Sequence, residues 1–199
     1  GTSAAALLAS VENMEKEYVR FKQLYEKCVL ESQTKKRIFI IHGWGGSPEE
    51  GWFPWLKHEF EKKGYYVEVP AMPDTERPEI GAWVLHIANI VGEADEHTFF
   101  VGHSIGCQAI LRYLESLPVD TKVGGAVFVA GWFGLMNLRT DKEKQIAKPW
   151  LECPIDFEKI KQHTKTFFAV FSDDDEDVPL DNKKIFEEIE NFFADRCYY

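Results

Sequence analysis

The residues best suited to chemistry in this 199-residue sequence surround one serine. Ser104 lies in the stretch Gly102-His103-Ser104-Ile105-Gly106, which follows an apolar run (98–101) and precedes a helix-like run (107–114). A G-x-S-x-G pattern between a strand and a helix predicts a nucleophile elbow, a sharp turn that presents a serine hydroxyl to an acyl carbon. Glycine suits both flanks because a Cβ there would clash with closely approaching backbone. The turn also places Ser104 at a helix N-terminus, where free N–H groups favour an anion.

Backbone donors for an oxyanion are predicted at two places. Ile105 directly follows the serine, and in an elbow this residue donates one N–H group. The loop His42-Gly43-Trp44-Gly45-Gly46 follows a buried strand, and its glycines let backbone N–H groups approach a substrate oxygen. We assign the second donor to Trp44 in this loop. A phosphate-binding loop is the competing interpretation, and it is weaker because no G-K-[ST] follows and no G-x-G-x-x-G is complete.

A serine nucleophile needs a base, and the base needs a carboxylate to orient it. An acidic cluster (172–177) follows the last clear strand (166–171), where one carboxylate would serve this purpose. The D-x-D-x-D-G spacing of a calcium loop is absent. The four cysteines include no C-x-x-C pair, so neither a metal nor an organic cofactor is expected.

The base itself is hard to find among the six histidines. His42 ends a strand and faces the predicted site, and His103 adjoins Ser104, so both are candidates for the substrate pocket. Trp132, which follows another apolar strand, is a third pocket candidate. His42 belongs to the predicted oxyanion loop, however, and adjacent elbow residues point in different directions. The other four fall in helical or pre-strand positions: His58, His86, His97 and His163.

From Arg37 onward, apolar strands alternate with helical segments. Strands are predicted at 37–41, 65–69, 98–101, 123–130 and 166–171, and helices at 48–63, through Trp83, Ile87 and Val91, at 107–114 and at 183–193. This alternation predicts β-α-β units, and therefore a mostly parallel sheet with helices on both faces. In such sheets functional residues gather at the carboxyl ends of the strands.

The first 36 residues are predicted to be a segment of their own, ahead of a domain over residues 37–199. Apolar residues recur there at spacings of four and three, which indicates an amphipathic helix three heptads long. One interpretation is a helix packed on its own domain, and the other is a helix for self-association or partner docking. The stripe comprises Leu7, Val11, Met14, Tyr18, Phe21, Tyr25 and Cys28.

The composition excludes some classes of binding partner. The net charge of −10 argues against a nucleic-acid partner and against a basic membrane-binding patch. No apolar run is long enough to span a membrane. Scattered cysteines favour a reducing cytoplasm.

Taken in order, several stretches resemble the small single-domain serine hydrolases related to retinoblastoma-binding protein nine and the bacterial YdeN-type proteins. The resemblance spans about residues 37 to 182. It implies a three-layer α/β-hydrolase fold with Ser104 as nucleophile and, by alignment on Val178-Pro179, Asp175 as the triad acid, with Asp174 as the fallback. It also implies acyl transfer to water on a small-molecule ester-like substrate. The matching stretches are His42-Gly43, Met72-Pro73-Asp74 with Pro78 and Trp83, the elbow, Lys148-Pro149-Trp150, Asp156-Phe157 with Ile160-Lys161, and Ser172 to Asp175 with Val178-Pro179.

The sequence departs from that family in one respect. The triad order in this fold is serine, acid, histidine, yet no histidine follows Asp175. We therefore expect the domain to lack the family's final strand and Gly-His turn. Three explanations are open. The sequence is a truncated or alternatively terminated version of an active hydrolase, a partner chain supplies the base, or the protein has lost the base and binds its ligand without catalysis. A carboxylesterase-like serine hydrolase is the predicted function, and a catalytically silent pseudo-hydrolase that binds proteins is the alternative.

Overall fold

A computed structural model describes residues 14–26, 35–164 and 166–191 of the chain. The chain divides into two compact units, residues 1–35 and 36–199. In the first unit, residues 14–26 form helix α1, on which the rings of Phe21 and Tyr25 stack with centroids 6.5 Å apart. Leu7, Val11 and Cys28 of the predicted stripe lie outside the described residues.

The second unit is built on a five-stranded parallel sheet of order β2-β1-β3-β4-β5. Its strands are β1 (Arg37–Ile41), β2 (Tyr66–Glu68), β3 (Thr98–His103), β4 (Gly125–Val129) and β5 (Phe167–Val170). In the register, Ile41 pairs with Gly102, and Val129 pairs with both His103 and Val170. The four strands β1, β3, β4 and β5 therefore end at one edge of the sheet, which is where the predicted site residues follow.

Six helices connect or follow these strands among the described residues. They are α2 (Phe53–Lys62), α3 (Ile80–Val91), α4 (Ile105–Ser116), α5 (Asp141–Glu152), α6 (Phe157–His163) and α7 (Asp181–Asn191). Helix α2 begins at Phe53 instead of Pro48, because Gly51 adopts a positive φ of 56° and Pro54 is tolerated only in a first turn. Helices α5 and α6 were not predicted from the sequence.

Apolar residues cover both faces of the sheet. Along β1, Ile38 and Ile40 belong to one buried cluster, and Phe39 and Ile41 belong to the other. This alternation is the period of two that a strand imposes. The first cluster includes Phe53 of α2, and the second includes Trp83 of α3 together with most of α4. The three-layer α/β architecture predicted from the sequence is thus confirmed.

Within the described ranges, no helix has both the length and the apolar character needed to cross a membrane.

Candidate active site

Ser104 occupies a strained turn between β3 and α4. Its backbone has φ 54° and ψ −123°, a region that residues with a Cβ rarely adopt and that persists only where surrounding structure enforces it. One such constraint is the Ser104 N–H group, which donates to the carbonyl oxygen of Val129 at 2.9 Å. Helix α4 begins at the next residue, so Ser104 stands at its N-terminus.

Three glycines allow the backbone to close around this serine. A Cβ on Gly106 would lie 2.4 Å from the carbonyl oxygen of Ile41, and one on Gly102 would lie 2.8 Å from the backbone of Cys107. A Cβ on Gly43, in the loop after β1, would lie 3.3 Å from Ser104 Cβ. The G-x-S-x-G spacing thus has a direct steric reason, and the glycine-rich loop does lie beside the serine.

Two backbone donors near Ser104 are unused. Among the described residues, neither the Trp44 N–H nor the Ile105 N–H has a hydrogen-bond acceptor. The loop that holds Trp44 is fixed from outside, because Gly45 N–H donates to Thr75 O at 2.8 Å and the Trp44 indole donates to Glu76 O at 3.3 Å. A loop held in this way can keep a free N–H group in place for a ligand oxygen.

A cavity of about 500 Å³ contains Ser104 in its wall. Trp44 and Trp132 also line it. Most of the remaining wall comes from the segment after β4 and from α5, which sequence reasoning did not associate with the site. Its apolar members are Leu135, Met136, Leu138 and Ile146.

Trp132 contacts the serine directly. Its indole is 1% exposed, and Nε1 donates a hydrogen bond to Ser104 Oγ at 3.2 Å. Trp132 was predicted as a pocket residue, but nothing in the sequence pointed to this bond.

Asp175 lies in the loop after β5 with one carboxylate oxygen engaged. Its Oδ1 accepts from the N–H groups of Asp177 and Val178, each at 2.9 Å. Asp177 and Val178 line the same cavity as Ser104. The fallback acid, Asp174, is exposed and accepts a hydrogen bond from the Ser172 hydroxyl. Asp175 is thus the better anchored of the two carboxylates.

A family model described as "Serine hydrolase" matches residues 38–188. The chain belongs to the serine hydrolase family. It is 32% identical over 149 residues to the putative hydrolase YdeN of Bacillus subtilis, which covers 75% of this chain and 76% of that protein. It is 26% identical to the serine hydrolase RBBP9 of Rattus norvegicus over 149 residues, or 74% and 75% of the two chains.

Structural comparison gives the same assignment. The crystal structure of the ydeN gene product from B. subtilis superposes on this serine hydrolase with a TM-score of 0.71 at 29% identity, covering 79% of this chain and 82% of the other. The resemblance noted in the sequence is therefore confirmed at the level of family and fold.

His42 does not line the cavity of this serine hydrolase. It is 0% exposed, and both ring nitrogens bond to backbone: Nε2 accepts from Met72 N–H at 3.1 Å, and Nδ1 lies 2.9 Å from Gly43 O. Because an N–H group can only donate, Nε2 is unprotonated and Nδ1 carries the proton. The imidazole therefore links the loop after β1 to the backbone at Met72.

His103 also lies outside the cavity wall. Its ring packs against Trp52 and Phe53 at centroid distances of 6.0 and 5.9 Å, and its buried Nδ1 has no hydrogen-bond partner among the described residues. Burial lowers the pKa of His103, and the negative charges of Asp175 and Glu50 oppose that shift. Its neutral form is therefore favoured.

The other histidines lie on helices or before strands. His58 and His86 are in α2 and α3, His97 precedes β3, and His163 ends α6 with its Nδ1 2.8 Å from Thr121 O. Across the part of the chain that the structure describes, no imidazole hydrogen-bonds to Ser104 Oγ, and no group of three or more His, Cys, Asp or Glu side chains could hold a metal ion.

Three buried polar residues in α4 and α7 were not predicted from the sequence. Gln108 and Arg112 lie within the apolar run of α4, and Asn182 lies in the first turn of α7; all three are buried. The only sequence signal was a polar residue at a position that helical periodicity assigns to the core. Such residues are retained when they satisfy buried backbone groups.

Proposed function

We propose that this protein hydrolyses ester-like bonds of small-molecule acyl substrates with Ser104 as the nucleophile. The observation that carries the proposal is the strained Ser104 backbone at the N-terminus of α4, with the side chain in the wall of a 500 Å³ cavity. A serine is held in such a conformation when its hydroxyl has to be presented to a ligand.

The geometry supports acyl transfer through a covalent intermediate. Ser104 Oγ attacks the carbonyl carbon and forms the new C–O bond while its proton passes to a base. The carbonyl electron pair moves onto oxygen, where the N–H groups of Trp44 and Ile105 stabilise it. The C–O bond to the alcohol then breaks, and the protonated base gives its proton to the leaving oxygen. Water next attacks the acyl carbon and passes a proton to the base, and Ser104 Oγ leaves and takes up that proton.

The base in this proposal is an imidazole, and it is not His42, because both ring nitrogens of His42 are bonded to backbone groups. Asp175 would orient the imidazole that acts as the base, since its Oδ1 is anchored by two N–H groups while Oδ2 has no hydrogen bond from a described residue. The role of Asp175 follows from the family resemblance.

The cavity wall offers an acyl substrate apolar, aromatic and polar surface. Leu135, Met136 and Leu138 supply aliphatic surface, and Trp44 and Trp132 supply aromatic surface close to Ser104. The other lining residues are mostly polar or charged, among them Arg139 and Glu143, so a substrate that has both an apolar and a polar part fits this wall.

A fluorophosphonate probe tests the proposal, because it labels activated serines covalently. We expect labelling of the folded protein that disappears in Ser104→Ala and persists in the matched control Ser172→Ala, an exposed serine hydroxyl bonded to Asp174. Labelling that survives in Ser104→Ala would remove Ser104 as the nucleophile. Absence of labelling in the folded protein, even with added imidazole, would favour the silent binding module.

A further inference from the structure

We infer that Trp132 is a further catalytic residue, whose indole N–H fixes Ser104 Oγ and stabilises the negative charge which that oxygen bears during the reaction. The catalytic part of this inference rests on the proposed function. The hydrogen bond itself does not.

The bond from Trp132 to Ser104 has a defined direction. An indole N–H can only donate, so Ser104 Oγ is the acceptor across the 3.2 Å between them. Trp132 is only 1% exposed, and a buried donor without an acceptor is costly. The serine proton must then point away from Trp132.

The same helix holds the serine and fixes the position of Trp132. Gln108 lies on α4, four residues after Ser104, and its Nε2 donates to the carbonyl oxygen of Trp132 at 2.8 Å. Its Oε1 accepts from Arg112 Nη2 at 3.2 Å. Because α4 begins directly after Ser104, the nucleophile and its indole donor are positioned from one rigid element.

The peptide after Trp132 is fixed from the opposite side. Asn182 Oδ1 accepts from the N–H groups of Phe133 and Gly134, at 2.7 and 2.9 Å, and its Nδ2 donates to Gly134 O at 2.9 Å. Asn182 is itself 2% exposed. With both sides of the loop bonded, the backbone that carries Trp132 cannot move away from Ser104 without breaking these hydrogen bonds. Filling a core requires no such polar anchoring.

A donor to Oγ helps the reaction because charge-assisted hydrogen bonds are roughly twice as strong as neutral ones. Oγ gains negative charge as its proton leaves for the base and the bond to carbon forms. It gains charge again in deacylation, when the acyl carbon–Oγ bond breaks, Oγ keeps the electron pair and the protonated base returns the proton. We expect loss of the N–H to slow these steps about tenfold.

Trp132→Phe tests the catalytic effect, with Trp150→Phe as a matched control. Trp150 is also buried, and its indole donates at 2.9 Å to a backbone oxygen, that of Pro78, and not to Ser104. We expect the second-order rate constant for fluorophosphonate labelling to fall about tenfold further in Trp132→Phe than in the control. When this rate constant is plotted against pH, the limb that rises towards alkaline pH should lie at higher pH in Trp132→Phe. Equal rates and equal profiles in the two variants would overturn the inference.

A second measurement needs neither activity nor a Trp132 variant. In NMR spectra, the indole N–H resonance of Trp132 should shift and exchange faster with solvent in Ser104→Ala, while that of Trp150 should not. If Trp132 responds no more than Trp150, the bond is absent and the inference fails, whether or not the protein hydrolyses esters. Labelling that is lost in Ser104→Ala tests the proposed function separately.

Discussion

Replacing Gly106 with alanine should weaken the fold by forcing α4 away from β1. The added Cβ would lie 2.4 Å from Ile41 O and 2.7 Å from His42 O. Both contacts are backbone atoms, so no side chain can rotate out of the way. The shorter distance must grow by about 0.6 Å to reach even 3.0 Å, the limit of real contacts.

The size of the effect follows from two opposing contributions. Overpacking a well-packed site costs about 1–3 kcal/mol, and a contact against backbone belongs at the upper end of that range. Alanine also gains up to about 1 kcal/mol over glycine in a helix. The expected net loss is about 2 kcal/mol in the free energy of unfolding, which at a urea m-value of about 2 kcal/mol/M lowers the unfolding midpoint by about 1 M.

Gly81→Ala is the matched control for this experiment. Gly81 lies in the first turn of α3, and a Cβ there would meet no atom within 4 Å. Its free energy of unfolding should stay unchanged or rise by up to about 1 kcal/mol, because only the helix propensity changes. If urea unfolding followed by tryptophan fluorescence gave Gly106→Ala a midpoint at or above that of Gly81→Ala, the close approach of α4 to β1 would be refuted.

Three further predictions concern the surroundings of Ser104. Asn182→Ala should lower the free energy of unfolding by about 1–2 kcal/mol in urea titrations, because the half-buried amides of Phe133 and Gly134 lose their acceptor; a loss below about 0.5 kcal/mol would contradict this. Burial lowers the pKa of His103 in the folded protein below its ordinary value, so the unfolded chain binds a proton at His103 more readily than the folded protein does. The free energy of unfolding should therefore fall as the pH drops from above the ordinary pKa of histidine towards the lowered pKa of His103. The loss of unfolding free energy between pH 7.5 and 5.5 should be smaller in His103→Gln. It should be larger in Asp175→Asn, because the negative charge of Asp175 opposes the lowering of the His103 pKa. Equal losses in the two variants and the unchanged protein would show that His103 is not the group responsible. Added imidazole should accelerate ester hydrolysis in proportion to its concentration. With Ser104→Ala, added imidazole should give no gain over the reaction in buffer. A hydrolysis rate that is independent of the imidazole concentration would exclude a missing base.

The parallel sheet was predictable because its strands are continuous apolar runs. Arg37–Ile41 has the predicted bounds, and α3 buries the three residues expected of it, Trp83, Ile87 and Val91. Helix α5 was missed because its buried residues are few and Pro149 interrupts its pattern. A readable signal did exist, since Thr140 and Glu143 form a capping box at its start.

The site residues likewise fall into those that local sequence patterns predict and those that they do not. Ser104 and the loop at Trp44 are local patterns, set by glycines that the backbone needs within a few residues. The indole of Trp132 on Ser104 Oγ and the bonds from Gln108 and Asn182 depend on contacts between residues far apart in sequence. No spacing rule encodes such contacts, because many side chains could satisfy the same backbone groups.

The strained turn at Ser104 also has a consequence for how the chain acquires reactivity. The turn is closed by partners from two other strands, Ile41 O against Gly106 and Val129 O on the Ser104 amide. These contacts join residues that are far apart in sequence, and they form late in folding because the entropy cost of closing the intervening chain must first be overcome. A refolding chain should therefore regain its reactive serine only in the kinetic phase that joins β1, β3 and β4. During synthesis, the serine should stay unreactive until β4 has left the ribosome.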